Sequence, residues 1–434
     1  MRSRIPAVLV FATLLIFPDR AQAQEPVASN PQSSLGESPQ PSARESRPTA
    51  DPPPSDSSPL PMIPLDQFRP RPRLRVVREE PRRATYPVVD VHTHPSIRLR
   101  DDPEALSRYV EQMDQMGIAV SISLDGGVGE RLVEHIRLLE GRWPNRFVVF
   151  CHLDFQGGQP ESKPEQWPCN QPDFVRRCVE QLREARKAGA CGMKVFKQWG
   201  LGYRNADGSL VRLDDPRWDP IWEECGKLGF PILMHTADPS AFFEPIDGKN
   251  ERFEELSRRP QWAFPPDRFP TREELLEARL RVVARHPQTR FIAAHLGNDG
   301  EDLQQAAQWL DQYPNLLLEI ASRISELGRQ PYSAKEFLDR YSDRILFGTD
   351  GPWPAERLRR YWQFLETRDE YFPYSEKEFP PQGLWQIYGV DLSDQTLRNL
   401  YHRNAIRWVP GVQTRLQALG LVVDQETQPD PANR

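Results

Sequence analysis

Three features are scarce or missing in this sequence, and each absence narrows what the chain can be. Basic residues do not outnumber acidic ones, since 56 Lys and Arg stand against 62 Asp and Glu, so no basic face for nucleic acid is indicated. After the N-terminal region, no segment has the length and apolarity of a membrane-spanning helix. The five cysteines form no CxxC pair, and their odd number excludes complete pairing within one chain. If one disulfide forms, Cys169 with Cys178 is the easiest pair to join.

The first 80 residues have the composition of a targeting segment followed by a spacer. Two arginines precede an apolar run that ends in Ala21 and Ala23, a pattern typical of a cleavable export signal over residues 1–23. No cysteine follows it, which argues against a lipoprotein. Residues 24–80 are Pro- and Ser-rich over most of their length and predict a disordered linker, because they offer too little apolar surface to bury. We therefore predict an exported protein, periplasmic or extracellular, with one domain over residues 86–411 and a tail over residues 412–434.

Short apolar segments alternate with amphipathic segments along residues 86–411. Eight apolar segments predict strands at residues 88–94, 119–125, 147–154, 191–197, 230–235, 291–295, 316–321 and 345–350. Segments of helical period lie between them, such as residues 103–116, 130–139, 172–188, 217–228, 272–286 and 301–312. Repeated strand–helix units predict an α/β fold, the (β/α)₈ TIM barrel. The alternative is an open doubly wound sheet, but no glycine-rich phosphate loop follows the first strand.

Histidines and one aspartate stand at the carboxyl ends of four predicted strands. His92 and His94 end the first strand, His235 the fifth, His295 the sixth and Asp350 the eighth. A histidine pair alone is more often half-buried without a metal. The carboxyl ends of barrel strands, however, meet at one rim, so four strands bring imidazole and carboxylate ligands together. This placement predicts a divalent metal site. Three other histidines lie on predicted helices or loops: His135, His286 and His402.

Short motifs occur at these strand ends in a fixed order. They are DVHTH at residues 90–94, GMK at 192–194, PILMH at 231–235, AHLG at 294–297, LFGTDGPW at 346–353 and NA at 404–405. Together they resemble the amidohydrolase superfamily, in particular the amidohydrolase-related branch that contains aminocarboxymuconate-semialdehyde decarboxylase. The resemblance implies that His92, His94, His235 and Asp350 bind one divalent ion, Zn²⁺ in the first place and Mn²⁺ as the alternative. It also implies that His295 lies beside that ion or binds a second one.

The predicted reaction is hydrolysis of a C–N or C–O bond in a small organic substrate. A bound metal ion lowers the pKa of a water ligand from about 16 toward 7. Asp350 would then carry the proton, and His295 would polarise the substrate carbonyl. The first alternative is a metal-dependent non-oxidative decarboxylase of an aromatic or dienoic carboxylate, with the same residues. The second is a tethered, non-catalytic binding barrel, which predicts a missing ligand, and none is missing.

Lys194 and His152 are the predicted substrate-binding residues. Met193 and Val195 form the apolar face of the fourth strand, so Lys194 points into the barrel. In binuclear members of the superfamily, a carbamylated lysine on this strand bridges two metals. We favour the other interpretation, in which the cation holds an anionic substrate. Lys197 has the opposite parity and is predicted at the surface or in the loop.

His152 either reaches the pocket from the third strand or is hydrogen-bonded near the barrel mouth. Asp125 and Glu319 are further inward polar candidates. Long loops are predicted after the third, fourth, fifth and eighth strands, at residues 155–171, 199–215, 236–270 and 352–390. Aromatic residues in these loops either line a pocket or pack the loops onto the barrel: Trp199, Phe242, Phe243, Trp262, Phe264 and Trp353. A small-molecule substrate is the expected partner, and the resemblance implies a homodimer as the ordinary assembly.

Overall fold

The computed structural model describes residues 62–65, 67–377 and 382–421. The predicted export signal and most of the predicted linker lie outside these residues. The described residues before Arg75 belong to a separate unit and contain no helix or strand. Residues 75–80, inside the predicted linker, belong to the main unit, where the N–H of Glu79 donates to Asp369 Oδ1 at 2.9 Å. Within the described chain, no helix has the length and apolarity needed to cross a bilayer.

Eight parallel strands form the centre of the main unit. They are β1 (Val88–Thr93), β2 (Ile118–Ser123), β3 (Phe147–Val149), β4 (Met193–Val195), β5 (Ile232–Met234), β6 (Phe291–Ala293), β7 (Leu316–Glu319) and β8 (Ile345–Leu346). Each strand pairs with the next in sequence order within two groups, β1–β3 and β4–β8. Apolar β-branched and leucine residues dominate these segments, as expected for parallel strands buried on both faces.

Backbone hydrogen bonds across two seams close the strands into a barrel. Between β3 and β4, the N–H of Lys194 donates to Cys151 O at 2.7 Å. Between β8 and β1, the N–H of Asp350 donates to His92 O at 2.8 Å, and the N–H of His94 donates to Gly351 O at 2.6 Å. The second seam therefore joins two strand ends that carry predicted site residues. The eight-stranded barrel predicted from the sequence is the fold observed.

Helices surround the barrel and fill the connections. They are α1 (Pro95–Leu99), α2 (Pro103–Met116), α3 (Glu130–Arg142), α4 (Phe174–Ala188), α5 (Gln198–Leu201), α6 (Asp219–Leu228), α7 (Phe253–Leu256), α8 (Arg272–Arg285), α9 (Ala294–Gly297), α10 (Leu303–Gln312), α11 (Ile324–Leu327), α12 (Pro331–Arg340), α13 (Ala355–Glu366), α14 (Asp394–Arg398), α15 (Asn404–Trp408) and α16 (Val412–Ala418). Helix α13 corrects the prediction of a loop over residues 352–390. Its buried Leu358, Tyr361, Trp362 and Leu365 have helical spacing.

Strand boundaries and cysteines also differ from expectation. Each predicted strand runs one to five residues past the carboxyl end of the observed one. The strands predicted at residues 230–235, 291–295 and 345–350, for example, end at Met234, Ala293 and Leu346. All five cysteines are buried and unpaired. The Cys169–Cys178 disulfide considered from the sequence is therefore not formed.

The predicted tail begins with a helix that closes the lower end of the barrel. Val412 and Leu416 of α16 are buried in the apolar cluster that fills the barrel interior, together with Val89, Val120 and Leu346 of the strands. The carboxyl ends of the strands, at the opposite end, remain available for a site. Residues 412–418 are thus part of the barrel core.

Replacing Leu416 by alanine is expected to lower the free energy of unfolding by about 2–5 kcal/mol, because the change leaves a cavity in the apolar cluster of the barrel interior. The shift of the urea unfolding midpoint measures it. Leu419→Ala is the matched control, since Leu419 is 36% exposed and its truncation should change stability by no more than about 0.5 kcal/mol. Equal losses in the two variants would contradict the packing described for α16.

Candidate metal centre

His92 and His94 turn the same ring nitrogen toward one another. Each donates from Nδ1 to a buried carboxylate: His92 to Glu319 Oε1 at 2.8 Å and His94 to Asp125 Oδ1 at 2.6 Å. A proton on Nδ1 leaves the lone pair on Nε2, and the two Nε2 atoms lie 3.3 Å apart. Bonds of about 2.0–2.1 Å to a tetrahedral ion place neighbouring ligand atoms about 3.3 Å apart. The two imidazoles therefore have the spacing that a shared ion requires.

Asp350 brings a carboxylate to the same place from the end of β8. Its Oδ1 is 3.8 Å from His94 Nε2, and ligand atoms of His92, His94 and Asp350 all lie within 4.8 Å of one another. Its backbone is left-handed, with φ of 62°, a conformation that non-glycine residues adopt mainly at special sites. Although burial acts in the opposite direction, the Arg98 guanidinium beside it holds the pKa of Asp350 at about 2. The carboxylate is therefore ionised and able to bind a cation.

Glu319 and His295 form a second group around His92. Glu319 accepts hydrogen bonds from His92 Nδ1 at 2.8 Å, from the N–H of His295 at 2.8 Å and from the N–H of Ala321 at 2.5 Å. His295 donates from Nδ1 to Ala321 O at 2.9 Å, so its Nε2 also keeps a lone pair. Burial lowers the pKa of both His92 and His295 well below the usual range. Both imidazoles are therefore neutral, the form that binds metal.

The chain around His295 adopts an unusual backbone that three arginines hold in place. Residues 295–298 all have φ between 56° and 70°, which is costly for side chains with a Cβ. Arg323 donates to the carbonyl of residue 295 at 3.2 Å, Arg279 to that of residue 297 at 2.6 Å and Arg272 to that of residue 298 at 2.6 Å. These bonds fix the segment that points His295 at the other imidazoles.

His235 lies against His295 but is turned differently from the other imidazoles. The two ring centroids are 4.4 Å apart, while His235 Nε2 donates to Ala237 O at 2.9 Å and lies 3.4 Å from Asp238 Oδ1. The free lone pair of His235 is therefore on Nδ1. Neither group of close ligand atoms found in the described part of the chain includes His235. Asp238, which the sequence pattern does not single out, pairs at 2.5 Å with the half-buried Lys197.

Lys194 points into the barrel, as its parity on β4 predicts. Its Nζ lies 3.3 Å from His92 Nε2 and 5.4 Å from the ring of Phe196. Burial lowers the pKa of Lys194 to about 8. His152 lies beside the same Phe196, with ring centroids 5.3 Å apart, and burial lowers its pKa to about 4. Lys194 thus contacts the histidine cluster directly, whereas His152 is separated from it by an aromatic ring.

Arg98 is a site residue that the sequence pattern does not reveal. It lies on α1, the short helix that follows His94, and its Nη2 is 3.0 Å from Asp350 Oδ1. The N–H of Ser96 donates to Asp125 Oδ2 at 2.9 Å, so the carboxylate that orients His94 also anchors α1. The only sequence signal for Arg98 is its position four residues after His94.

The predicted pocket aromatics divide between two roles. Trp199 is buried against Trp222 with ring centroids 4.7 Å apart, and Phe243 packs on Phe264 at 5.0 Å. These rings hold loops onto the barrel. Trp353 instead lies at the mouth of the site, where the Arg98 guanidinium stacks 4.0 Å from its ring centroid.

A protein-family model described as amidohydrolase matches residues 166–411, more than half of the chain. The chain belongs to the amidohydrolase family. The superfamily resemblance deduced from the motifs is thereby confirmed. His235, His295 and Asp350 lie inside the matched region of this amidohydrolase, whereas His92 and His94 precede it.

Curated relatives and solved structures give further likenesses. The chain is 27% identical over 240 residues to a gamma-resorcylate decarboxylase of Rhizobium sp. (strain MTP-10005), which covers 50% of this chain and 62% of the relative. It is 24% identical over 251 residues to a gamma-resorcylate decarboxylase of Rhodococcus jostii (strain RHA1), covering 52% of this chain and 65% of the relative. Both matches span less than two thirds of the relatives. A 2,6-dihydroxybenzoate decarboxylase complexed with 2,6-dihydroxybenzoate is 17% identical with a TM-score of 0.45, covering 75% of this chain and 99% of that chain.

Proposed function

We propose that this amidohydrolase is a metal-dependent non-oxidative decarboxylase of a small aromatic carboxylate. The observation that carries the proposal is that the curated relatives matched by sequence are gamma-resorcylate decarboxylases. Hydrolysis, the reaction predicted first from the residues, uses the same side chains and becomes the second candidate. The order of the two reactions is thus the reverse of that predicted from the sequence.

The ion would be held by Nε2 of His92 and His94 and by the Asp350 carboxylate, with His235 as the fourth ligand. Imidazole and carboxylate donors suit either Zn²⁺ or Mn²⁺. When bound, the ion supplies positive charge that draws electron density from an oxygen of the substrate. Glu319 and Asp125 hold His92 and His94 in the orientation that binding requires.

The reaction needs one proton and no water. The bond between the aromatic ring and the carboxylate carbon breaks, its electron pair stays on the ring carbon, that carbon takes a proton, and CO₂ leaves. In the proposal, Asp350 carries the proton to the ring carbon. The Lys194 ammonium balances the negative charge of the acid, and His295, with a lone pair on Nε2, positions a proton or a hydroxyl group of the substrate.

The test is incubation of the purified protein with 2,6-dihydroxybenzoate in water enriched in ¹⁸O. We expect CO₂ and the corresponding dihydroxybenzene to form without ¹⁸O in the benzene product. Removal of metal by a chelator should abolish turnover, and either Zn²⁺ or Mn²⁺ should restore it. Hydrolysis of amides, esters or lactones with ¹⁸O uptake, and no CO₂, would establish the second candidate instead. If the metal-loaded chain catalyses neither reaction, the non-catalytic binding barrel is favoured.

A further inference from the structure

Arg98 occupies the outer edge of the site. Its backbone N–H donates to His94 O at 3.0 Å, so the residue is one helical turn beyond a proposed metal ligand. The side chain of Arg98 is 30% exposed, and that of its partner Asp350 is 27% exposed. Lys194, in contrast, is buried within the barrel. Arg98 is therefore a cation that a ligand entering from solvent can meet before it reaches Lys194.

The position of this guanidinium is fixed by an aromatic platform as well as by Asp350. Arg98 stacks 4.0 Å from the ring centroid of Trp353, and Arg357 stacks 3.6 Å from it. Two guanidinium groups this close to one centroid must lie on opposite faces of the indole. The indole itself is held by Trp353 Nε1, which donates to Thr349 O at 2.8 Å. Arg98 would thus keep its place if Asp350 turned to another partner.

Among the carboxylates around the proposed ion, Asp350 is the one that Arg98 pairs with and that also faces the imidazoles. Asp125 is bound by His94 and by backbone N–H groups, and Glu319 by His92 and two N–H groups. Arg98 pairs with Asp350 Oδ1, the same oxygen that lies 3.8 Å from His94 Nε2. A cation bound between the imidazoles and Asp350 would attract this oxygen and weaken its ion pair with Arg98. The guanidinium would then favour a second anion.

We propose that Arg98 binds the carboxylate of an aromatic acid at the mouth of the site, in exchange for part of its contact with Asp350. The inference rests on the proposed function, since it assigns the substrate class of the same site. The planar fork of a guanidinium matches a carboxylate with two parallel hydrogen bonds. The departing CO₂ is neutral, so this contact is present in the bound acid and lost in the product. Arg98 therefore acts on substrate affinity more than on the chemical step.

The kinetic test compares Arg98→Gln and Arg98→Lys with Arg357→Gln on 2,6-dihydroxybenzoate. Arg357→Gln is the matched control, because it removes a guanidinium from the other face of the same indole. For Arg98→Gln we expect KM to rise about tenfold or more, as for loss of a charge-assisted pair, with kcat changed less than about threefold. Arg98→Lys keeps the charge and loses the planar fork of the guanidinium, so its KM should lie between those of wild type and Arg98→Gln. Arg357→Gln should resemble wild type.

The binding test separates charge recognition from support of Asp350. Benzoate and benzamide have the same shape and differ in charge, and quenching of tryptophan fluorescence reports their binding. Arg98→Gln should weaken benzoate about tenfold and leave benzamide within about twofold. Equal weakening of both ligands, or loss of bound metal measured by elemental analysis, would make Arg98 a support for Asp350 and overturn the inference. Unchanged benzoate affinity would overturn it as well. Melting temperatures close to that of wild type show that the variants are folded. Arg98→Lys repeats the comparison of the two ligands with a variant that keeps the positive charge.

Failure of this inference and failure of the proposed function give different results. If the wild-type protein discriminates benzoate from benzamide through Arg98 but releases no CO₂, the inference stands and decarboxylation is wrong. If the protein decarboxylates 2,6-dihydroxybenzoate and Arg98→Gln does not discriminate the two probes, decarboxylation stands and the inference is wrong.

Discussion

Replacing Asp350 by asparagine is expected to lower turnover by about 10³-fold or more. The change keeps the shape of the side chain and removes its charge. Two functions are lost together, because this carboxylate is proposed both to bind the ion and to carry the proton. The ionised form is the native one, since the pKa of Asp350 is about 2. The amide should also lower the affinity for the metal ion, so that less than one metal per chain remains after dialysis.

The measurement is kcat on the accepted substrate, together with metal content by elemental analysis. Asp267→Asn, at an exposed position in the loop after β5, is the control for loss of one surface charge and should match wild type. The melting temperature shows that the Asp350 variant is folded. A variant with full metal content and nearly normal kcat would remove Asp350 from the mechanism and with it the proposed proton transfer.

Replacing Glu319 by glutamine is expected to weaken metal affinity by about 10- to 100-fold. Glu319 accepts hydrogen bonds from His92 and from the backbone N–H groups of His295 and Ala321. An amide has one acceptor oxygen, and its NH₂ group faces at least one of these donors. His92 then loses the carboxylate that holds its proton on Nδ1. The proton can move to Nε2, which then has no lone pair for the ion.

Competition with a fluorescent chelator measures this affinity in the purified variant. Glu356→Gln, on the exposed side of α13, is the matched control and should bind metal as wild type does. Some loss of stability is expected too, because a buried unsatisfied donor costs about 1–3 kcal/mol. Normal metal affinity with reduced stability would assign Glu319 a purely structural role.

Barrel topology and the clustering of polar residues at one rim could be predicted from the sequence, because both follow from local patterns. Apolar segments of strand length repeat eight times, and parallel strands in a barrel must deliver their ends to the same side. His92, His94 and Asp350 converge for this reason. Alternation on β4 also predicts the inward direction of Lys194, since a strand has only two faces.

Other site features depend on contacts that no local pattern contains. In the sequence, Arg98 cannot be told from an ordinary arginine on the surface of a helix. Its role arises because the chain after β8 places Asp350 beside it. The rotation of the His235 ring depends on Ala237 and Asp238, in a loop whose course is not periodic. The sequence does not predict helix α13, because charged and aromatic residues obscure the helical spacing of the side chains that pack on the barrel.

The left-handed segment 295–298 has a consequence for attempts to change what this protein accepts. The side chain of Asn298 accepts from the N–H groups of Thr236 and Ala237, which follow β5, and Arg323, which follows β7, donates to His295 O. Three successive loops are thus anchored on one another. Grafting a single loop from a related barrel would remove anchors from the other two and displace His235 and His295 together. A transplant that moves the three loops as one block keeps the anchors between them.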